Sequence, residues 1–274
     1  MRLIAEIGIN ANGDIKIAKQ LINMAKGCGC NYVKFQKRNV DKVYAKTLDK
    51  PRESPWGTTE GQQKHGLEFS FEEYQQINYH CKMIGIPWFA SAWDADSLDF
   101  LETFNPPFHK VASPMATNHK FVRAVASLGR PTFVSTGACR MEDILAAYDI
   151  FSVARCELIL MHCVLEYPCP PEKLNIRMVQ TLQGMFPGIT VGYSGHEVGV
   201  IPSVLAVAFG AEFIERHITL DRSMYGSDQA ASLEAPGITK LVSWACQAEK
   251  CLGDGKKVIT EKEAENAKKM RWFE

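Results

Sequence analysis

Two histidines with acidic residues close behind them carry the strongest chemical signal in this chain. They are His196 in Val-Gly-Tyr-Ser-Gly-His-Glu and His217 in Phe-Ile-Glu-Arg-His-Ile-Thr, followed by Asp221 and Asp228. Each falls where an apolar, β-branched run gives way to a polar loop. A fold that converges those strand ends lets both imidazoles share one divalent metal ion, and water positions kept on the metal admit a substrate oxygen. With oxygen ligands completing the shell, Mn²⁺ is expected ahead of Zn²⁺. The competing reading for each is a hydrogen-bonded core histidine. His162 in Leu-Met-His-Cys stays open between an active-site polar group and a core histidine.

Two lysines point to an anion. Lys34 in Tyr-Val-Lys-Phe-Gln and Lys110 in Phe-His-Lys-Val-Ala-Ser each interrupt an otherwise apolar strand. A buried ammonium without an anionic partner is costly, and neither lysine has a carboxylate beside it in sequence, so the anion is read as a ligand. Pairing with Glu6 or Asp94 is the alternative. Ser113, Ser135 and Ser194, with Thr136-Gly137, add hydroxyl and backbone donors suited to phosphate or carboxylate oxygens. There is no Gly-x-Ser-x-Gly or Ser-His-Asp arrangement, which argues against nucleophilic acyl chemistry.

The elements that must position these groups alternate from end to end. Strand patterns cover residues 2–9, 31–36, 87–91, 108–113, 131–135, 157–163, 189–194 and 212–218, and amphipathic helical patterns cover 15–27, 71–84, 119–128, 141–154, 173–186, 198–209 and 237–252. About eight β/α units predict a single-domain (β/α)8 TIM barrel over residues 1–255. A doubly wound open sheet fits the same alternation, but no glycine-rich dinucleotide fingerprint follows the first strand. In a barrel the C-terminal strand ends face the site. They carry Glu6 and Asn10, Lys34 and Gln36, Ser91 and Asp94, Lys110 and Ser113, Ser135 and Thr136, His162 and Glu166, Ser194 and His196, and Glu215 and His217, more polar groups than packing alone needs. Residues 38–69 follow the second strand and read as a mobile lid. Residues 256–274 read as a tail or a final helix.

Composition narrows the class further. Thirty-one basic and 31 acidic residues cancel, which argues against a nucleic-acid groove or an anionic membrane surface. Nine scattered cysteines read as reduced cytosolic thiols, and the chain enters a strand pattern at once, with no signal peptide and no membrane-spanning run; a cytoplasmic protein is expected.

The motifs Ala-Glu-Ile-Gly-Ile-Asn-Ala-Asn-Gly (5–13), Val-Lys-Phe-Gln (33–36), Lys-Val-Ala-Ser (110–113), Ser-Thr-Gly (135–137), His-Cys (162–163), Tyr-Pro (167–168), Gly-Tyr-Ser-Gly-His (192–196) and Glu-Arg-His-Ile-Thr-Leu-Asp-Arg (215–222) with Asp228 and Ala-Ser-Leu-Glu (231–234) occur in order. Together they resemble the N-acetylneuraminate (sialic acid) synthase family, over residues 3 to about 270. The resemblance implies a TIM-barrel transferase that condenses phosphoenolpyruvate with an open-chain N-acylated aldose to a 3-deoxy-nonulosonic acid and phosphate. It implies His196 and His217 as metal ligands for Mn²⁺, with Mg²⁺ or Co²⁺ as alternatives. It further implies Lys34, Ser91, Lys110, Ser113, Ser135 and Ser194 as the phosphoenolpyruvate set, Gln36, Tyr167 and Asp228 as sugar-side residues, and Glu6 as an acid near the metal water.

Three departures fall on the sugar side. Ala11 replaces the histidine of the family's Asn-His-Asn-Gly, Met115 replaces an acidic residue two positions beyond Ser113, and Leu165 stands where a polar residue is expected. These put N-acetylmannosamine in doubt as the acceptor and leave two readings, an N-acetylmannosamine-like aldose or a more apolar, deoxygenated one such as a diamino-dideoxyhexose. The resemblance also implies a small C-terminal antifreeze-like domain that reaches a partner's sugar site; a homodimer is expected, and the alternatives for that domain are a naturally short form, a truncated piece, or a separate protein that supplies it. Two rival readings stand beside this one: a Kdo 8-phosphate synthase-like enzyme, which a basic cluster at the sugar end would favour, and a non-catalytic phosphoenolpyruvate- or sugar-binding protein.

Overall fold

The computed structural model describes residues 1–273. In chain order the strands are β1 (Arg2–Glu6), β2 (Tyr32–Lys37), β3 (Pro51–Ser54), β4 (Gly57–Thr59), β5 (Trp88–Ala92), β6 (His109–Val111), β7 (Thr132–Ser135), β8 (Leu158–Cys163), β9 (Thr190–Gly195) and β10 (Phe213–His217). The helices are α1 (Ile15–Gly27), α2 (Val40–Val43), α3 (Glu60–Leu67), α4 (Phe71–Ile84), α5 (Ala95–Glu102), α6 (His119–Ser127), α7 (Met141–Ala154), α8 (Met178–Met185), α9 (Ile201–Ala208), α10 (Ala235–Leu252) and α11 (Glu261–Met270). Eight parallel strands close a barrel in the order β1-β10-β9-β8-β7-β6-β5-β2, so the open-sheet alternative is excluded. The eight strand patterns in the sequence each become a barrel strand. Of the barrel-wrapping helices, α5 had not been marked.

Local chemistry sets the boundaries. Asp14 caps α1 by accepting from the Lys16 amide, and Ala18, Leu21, Ile22 and Ala25 form the buried stripe that lays it on the barrel. Ser70 and Glu73 make a reciprocal capping box on α4, which Gly85 ends in the left-handed conformation.

Inside the barrel, the period-two alternation of strands produces two floors of opposite character. Ile4, Phe89, Phe133, Met161 and Phe213 form one buried apolar cluster with Tyr32 and Phe108 against it. Two residues further along the same strands stand Glu6, Ser91, Ser135, Cys163, Glu215, Lys34 and Lys110. The lower floor is an aromatic plug: Phe133 stacks on Phe89 at 5.4 Å and meets Phe108 and Phe213 at 4.9 Å each. Gly192 belongs to it because any side chain there would meet the Met161 sulfur at 2.5 Å.

The 38–69 segment is not a bare loop. It holds α2, the antiparallel β3–β4 hairpin and α3, the last started by a capping box between Thr59 and Gln62. Trp56 anchors it by packing on Tyr225 at 5.7 Å, and Gly66 leaves the room that the indole occupies. The hairpin strands are largely exposed, so they carry no alternating apolar signal that would mark them in the sequence. At the other end of the chain, α11 has no buried residue.

Candidate active site

The upper floor opens into a small inner cavity of about 70 Å³ at the C-terminal ends of the strands. Glu6, Lys34, Gln36, Ser91, Lys110, Ser113, Ser135, Tyr167, Ser194, His196 and His217 all line it. Asp228 lies outside this set, in the wall of a second cavity, with its Oδ2 3.6 Å from His217 Nδ1. Trp93, Cys163 and Glu215 also line the inner cavity.

Glu215, which the sequence places at a strand end facing the site without giving it a partner, is the hub. Its carboxylate accepts from Lys110 Nζ at 2.9 Å and from Ser194 Oγ at 3.2 Å, and lies 3.6 Å from Lys34 Nζ. Lys34 also pairs with Glu6 at 2.8 Å and donates to Ser91 Oγ at 3.0 Å. The expectation that the two lysines lack carboxylate neighbours is therefore corrected: Glu6 holds Lys34 from the adjacent strand, where the two are register partners, and Glu215 reaches both. Asp94, the other partner considered, instead caps α5 and accepts from the Asn39 amide. Burial works against charge on every member. Burial alone would lower the Lys34 pKa, but Glu215 and Glu6 outweigh it and raise the value; for Lys110, burial wins over Glu215 and lowers it. Burial would lift Glu215, yet Lys110 and Lys34 hold it down to about 2.

On the opposite side His196 and His217 lie with ring centroids 5.6 Å apart. Nδ1 of His196 is 2.7 Å from the Val164 carbonyl, a contact that places the proton on Nδ1 and leaves the Nε2 lone pair free. Burial, reinforced by His217, pushes the His196 pKa down to about 3, so the ring is neutral, as a metal ligand must be. Nδ1 of His217 is buried without a hydrogen-bond partner. Two imidazoles lining one cavity suit a borderline divalent cation. Among the described residues no group of three or more His, Cys, Asp or Glu comes together to hold a metal, so the remaining positions of any such ion would fall to water or substrate. Tyr167 covers His196 at 3.9 Å between ring centres.

Several strand-end polar groups have structural tasks instead. His162 is a core histidine, its Nε2 bonded to the Leu174 carbonyl at 2.8 Å. Asn10 ties the Ile218 carbonyl and Ser232, Thr136 bonds the Met161 carbonyl, and Glu166 pairs with Lys173 at the surface. Ser113 Oγ accepts from the Gly137 amide at 3.0 Å and contacts the Cys163 thiol, whose pKa burial pushes up to about 11. Met115 packs against the core and lines neither cavity; Pro114 faces the inner one, and Leu165 lines both.

Behind the histidines a buried pair braces their backbones. Arg216 donates to Glu197 at 2.8 Å and to the Gly199 carbonyl, and Ser203 and Tyr193 complete the Glu197 carboxylate at 2.9 and 2.7 Å. Tyr193→Phe removes a single bond to a buried charge and is expected to cost about 2 kcal/mol. A lowered urea midpoint with an unchanged slope checks this.

The outer cavity, about 310 Å³, shares Gln36, Trp93, Leu165 and Tyr167 with the inner one. Arg38, Tyr44, Lys64 and Glu68 of the 38–69 segment form its far wall. The basic pair Arg38 and Lys64 had not been placed in the site from the sequence.

Fold and cavity define a (β/α)8-barrel enzyme with a charged site at the C-terminal face. The chain belongs to the NeuB family, which matches residues 21–257. It is 40% identical over 260 residues to the human N-acetylneuraminate-9-phosphate synthase, covering 94% of this chain and 72% of that protein. It is 33% identical over 270 residues to the N,N'-diacetyllegionaminic acid synthase of Legionella pneumophila, covering 95% and 76%. The N-acetylneuraminic acid (sialic acid) synthetase of Leptospira borgpetersenii, solved in complex with citrate, superposes with a TM-score of 0.87 at 30% identity, over 99% of this chain and 91% of that one. A truncated 3-deoxy-D-arabino-heptulosonate 7-phosphate synthase from Thermotoga maritima shares the fold at 14% identity, with a TM-score of 0.70 over 92% and 88%. The protein is thus an enzyme of the synthase kind that its NeuB-family relatives represent.

Proposed function

We propose that the protein condenses phosphoenolpyruvate with an open-chain N-acylated aldose, giving a 3-deoxy-nonulosonic acid and phosphate. One observation carries this reading: two buried lysines and four serines share one small cavity with two histidines, and that cavity shares a wall of four residues with a larger one. Lys34, Lys110, Ser91, Ser113, Ser135 and Ser194 hold the phosphate and carboxylate of phosphoenolpyruvate, drawing the lysines partly away from Glu6 and Glu215. The nucleophilic C3 is thereby fixed against an aldehyde entering past Tyr167 and Gln36. His196 and His217 would hold a divalent cation, Mn²⁺ by preference with Mg²⁺ or Co²⁺ as alternatives, which would supply Lewis acidity for a carbonyl oxygen. Glu6, bonded to Gln36 at 2.7 Å, orients the water that adds at C2 before phosphate leaves.

The named relatives make different products, so acceptor choice is a property of the outer cavity. Phosphate release from phosphoenolpyruvate is expected to require both an aldose and Mn²⁺ and to stop on chelation. Tight phosphoenolpyruvate binding with no turnover on any aldose would replace this reading with that of a binding protein.

A further inference from the structure

His196 and His217 stand at the ends of neighbouring strands, but the strand ladder reaches only one of them. His217 closes β10 and is in register with Glu6 of β1, whereas β9 ends at Gly195, one residue short of His196. The loop that follows is tied toward β8. The Cys169 amide donates to the His196 carbonyl at 3.0 Å, and the His196 ring bonds the Val164 carbonyl. Two imidazoles that serve one ion need a fixed separation, because metal–nitrogen bonds are short, at about 2 Å.

Arg216 crosses that gap. It lies between Glu215 and His217, which face the cavity, so its own side chain leaves on the other face of the sheet. There Nη2 donates to the Glu197 main-chain carbonyl at 2.5 Å, and Nη1 donates to the Glu197 carboxylate and to the Gly199 carbonyl at 2.8 Å each. Both charged side chains are buried, Tyr193 and Ser203 donate to the same carboxylate, and Gly195 leaves the room that it occupies. Among the described residues, every hydrogen bond from residues 196–199 to β10 comes from this one guanidinium. Its two ends are adjacent in sequence to the two histidines: Glu197 follows His196 and Arg216 precedes His217. Stability alone does not call for such a pair, since apolar residues of similar volume often serve a buried site as well. What the planar guanidinium fork adds is a fixed geometry.

We propose that Glu197 and Arg216 are positioning residues, a charged clamp behind the site that sets the spacing of the His196 and His217 rings and, through it, the affinity for the cation they share. The affinity half of this rests on the reading of the two histidines as metal ligands; the spacing half stands on the clamp itself.

The test is the double variant Glu197→Leu with Arg216→Met, which removes both charges together and leaves every group that lines the cavity in place. Titration with Mn²⁺ followed by electron paramagnetic resonance is expected to give a Kd weaker by roughly 10- to 100-fold, the range for loss of a group that orients a metal ligand, in a protein that still unfolds cooperatively. A folded double variant with the Kd of the wild type overturns the proposal and leaves the pair a purely structural role. Should the double variant not fold, Tyr193→Phe takes its place, because it loosens the Glu197 carboxylate and spares both charges; a Kd weaker by at least about threefold upholds the clamp, and an unchanged one overturns it. If the wild type itself binds no Mn²⁺, the reading of the histidines as ligands fails separately, and crystal structures of the wild type and the variant decide the clamp. A change of more than about 1 Å in the separation of the two rings upholds it; rings still 5.6 Å apart overturn it.

Discussion

His217→Ala is expected to slow aldose-dependent phosphate release by roughly 10³-fold, on the order of 4 kcal/mol of lost charge stabilisation at the reacting oxygen. The variant also removes one of the two imidazoles that line the inner cavity and the ring nitrogen 3.6 Å from Asp228 Oδ2. Manganese titration followed by electron paramagnetic resonance should show weaker binding in the same variant. A full rate at saturating Mn²⁺ would sink the assignment of His217 as a ligand. Stability should change less than activity, because the Glu197–Arg216 brace behind the ring is left intact.

Glu215→Ala is expected to be the most destabilising single change among the charged residues of the site. Lys110 loses the only carboxylate within ion-pair distance among the described residues, and Lys34 keeps only Glu6. Removing one partner from a buried charge cluster costs about 3–5 kcal/mol, which for a chain of this size lowers Tm by roughly 6–20 °C. The double variant Lys110→Met with Glu215→Leu removes both charges and should recover much of that loss without recovering activity. A double variant no more stable than Glu215→Ala would show that volume, not an orphaned ammonium, sets the cost.

The barrel was legible because each strand carries its own β-branched or aromatic run, and each helix its own apolar stripe and cap. What stayed hidden depends on neighbours far apart in sequence. Glu215 was visible as a polar residue two positions before His217, but its bond to Lys110 crosses 105 positions and appears only once the barrel closes. The Glu6–Lys34 pair was nearer to hand, since adjacent parallel strands set those two side by side. The β3–β4 hairpin has no buried face to write a pattern, and Lys64 looks like any helix-surface lysine until Tyr44 and Trp93 wall it in. His162, which the sequence leaves open, and Asn10 show that a polar residue at a strand end can serve the backbone as readily as a ligand.

The aromatic plug beneath the charged floor has a consequence for traffic. Phe89, Phe133 and Phe213 are fully buried and in mutual contact through Phe133, so the floor of the inner cavity is closed, and substrates, products and solvent share the side that adjoins the outer cavity. Whatever lodges in the outer cavity stands on that side. A bound acceptor is then its own stopper: the number of water molecules that can reach the charged floor during the reaction is set by how well the second substrate fills the passage behind it.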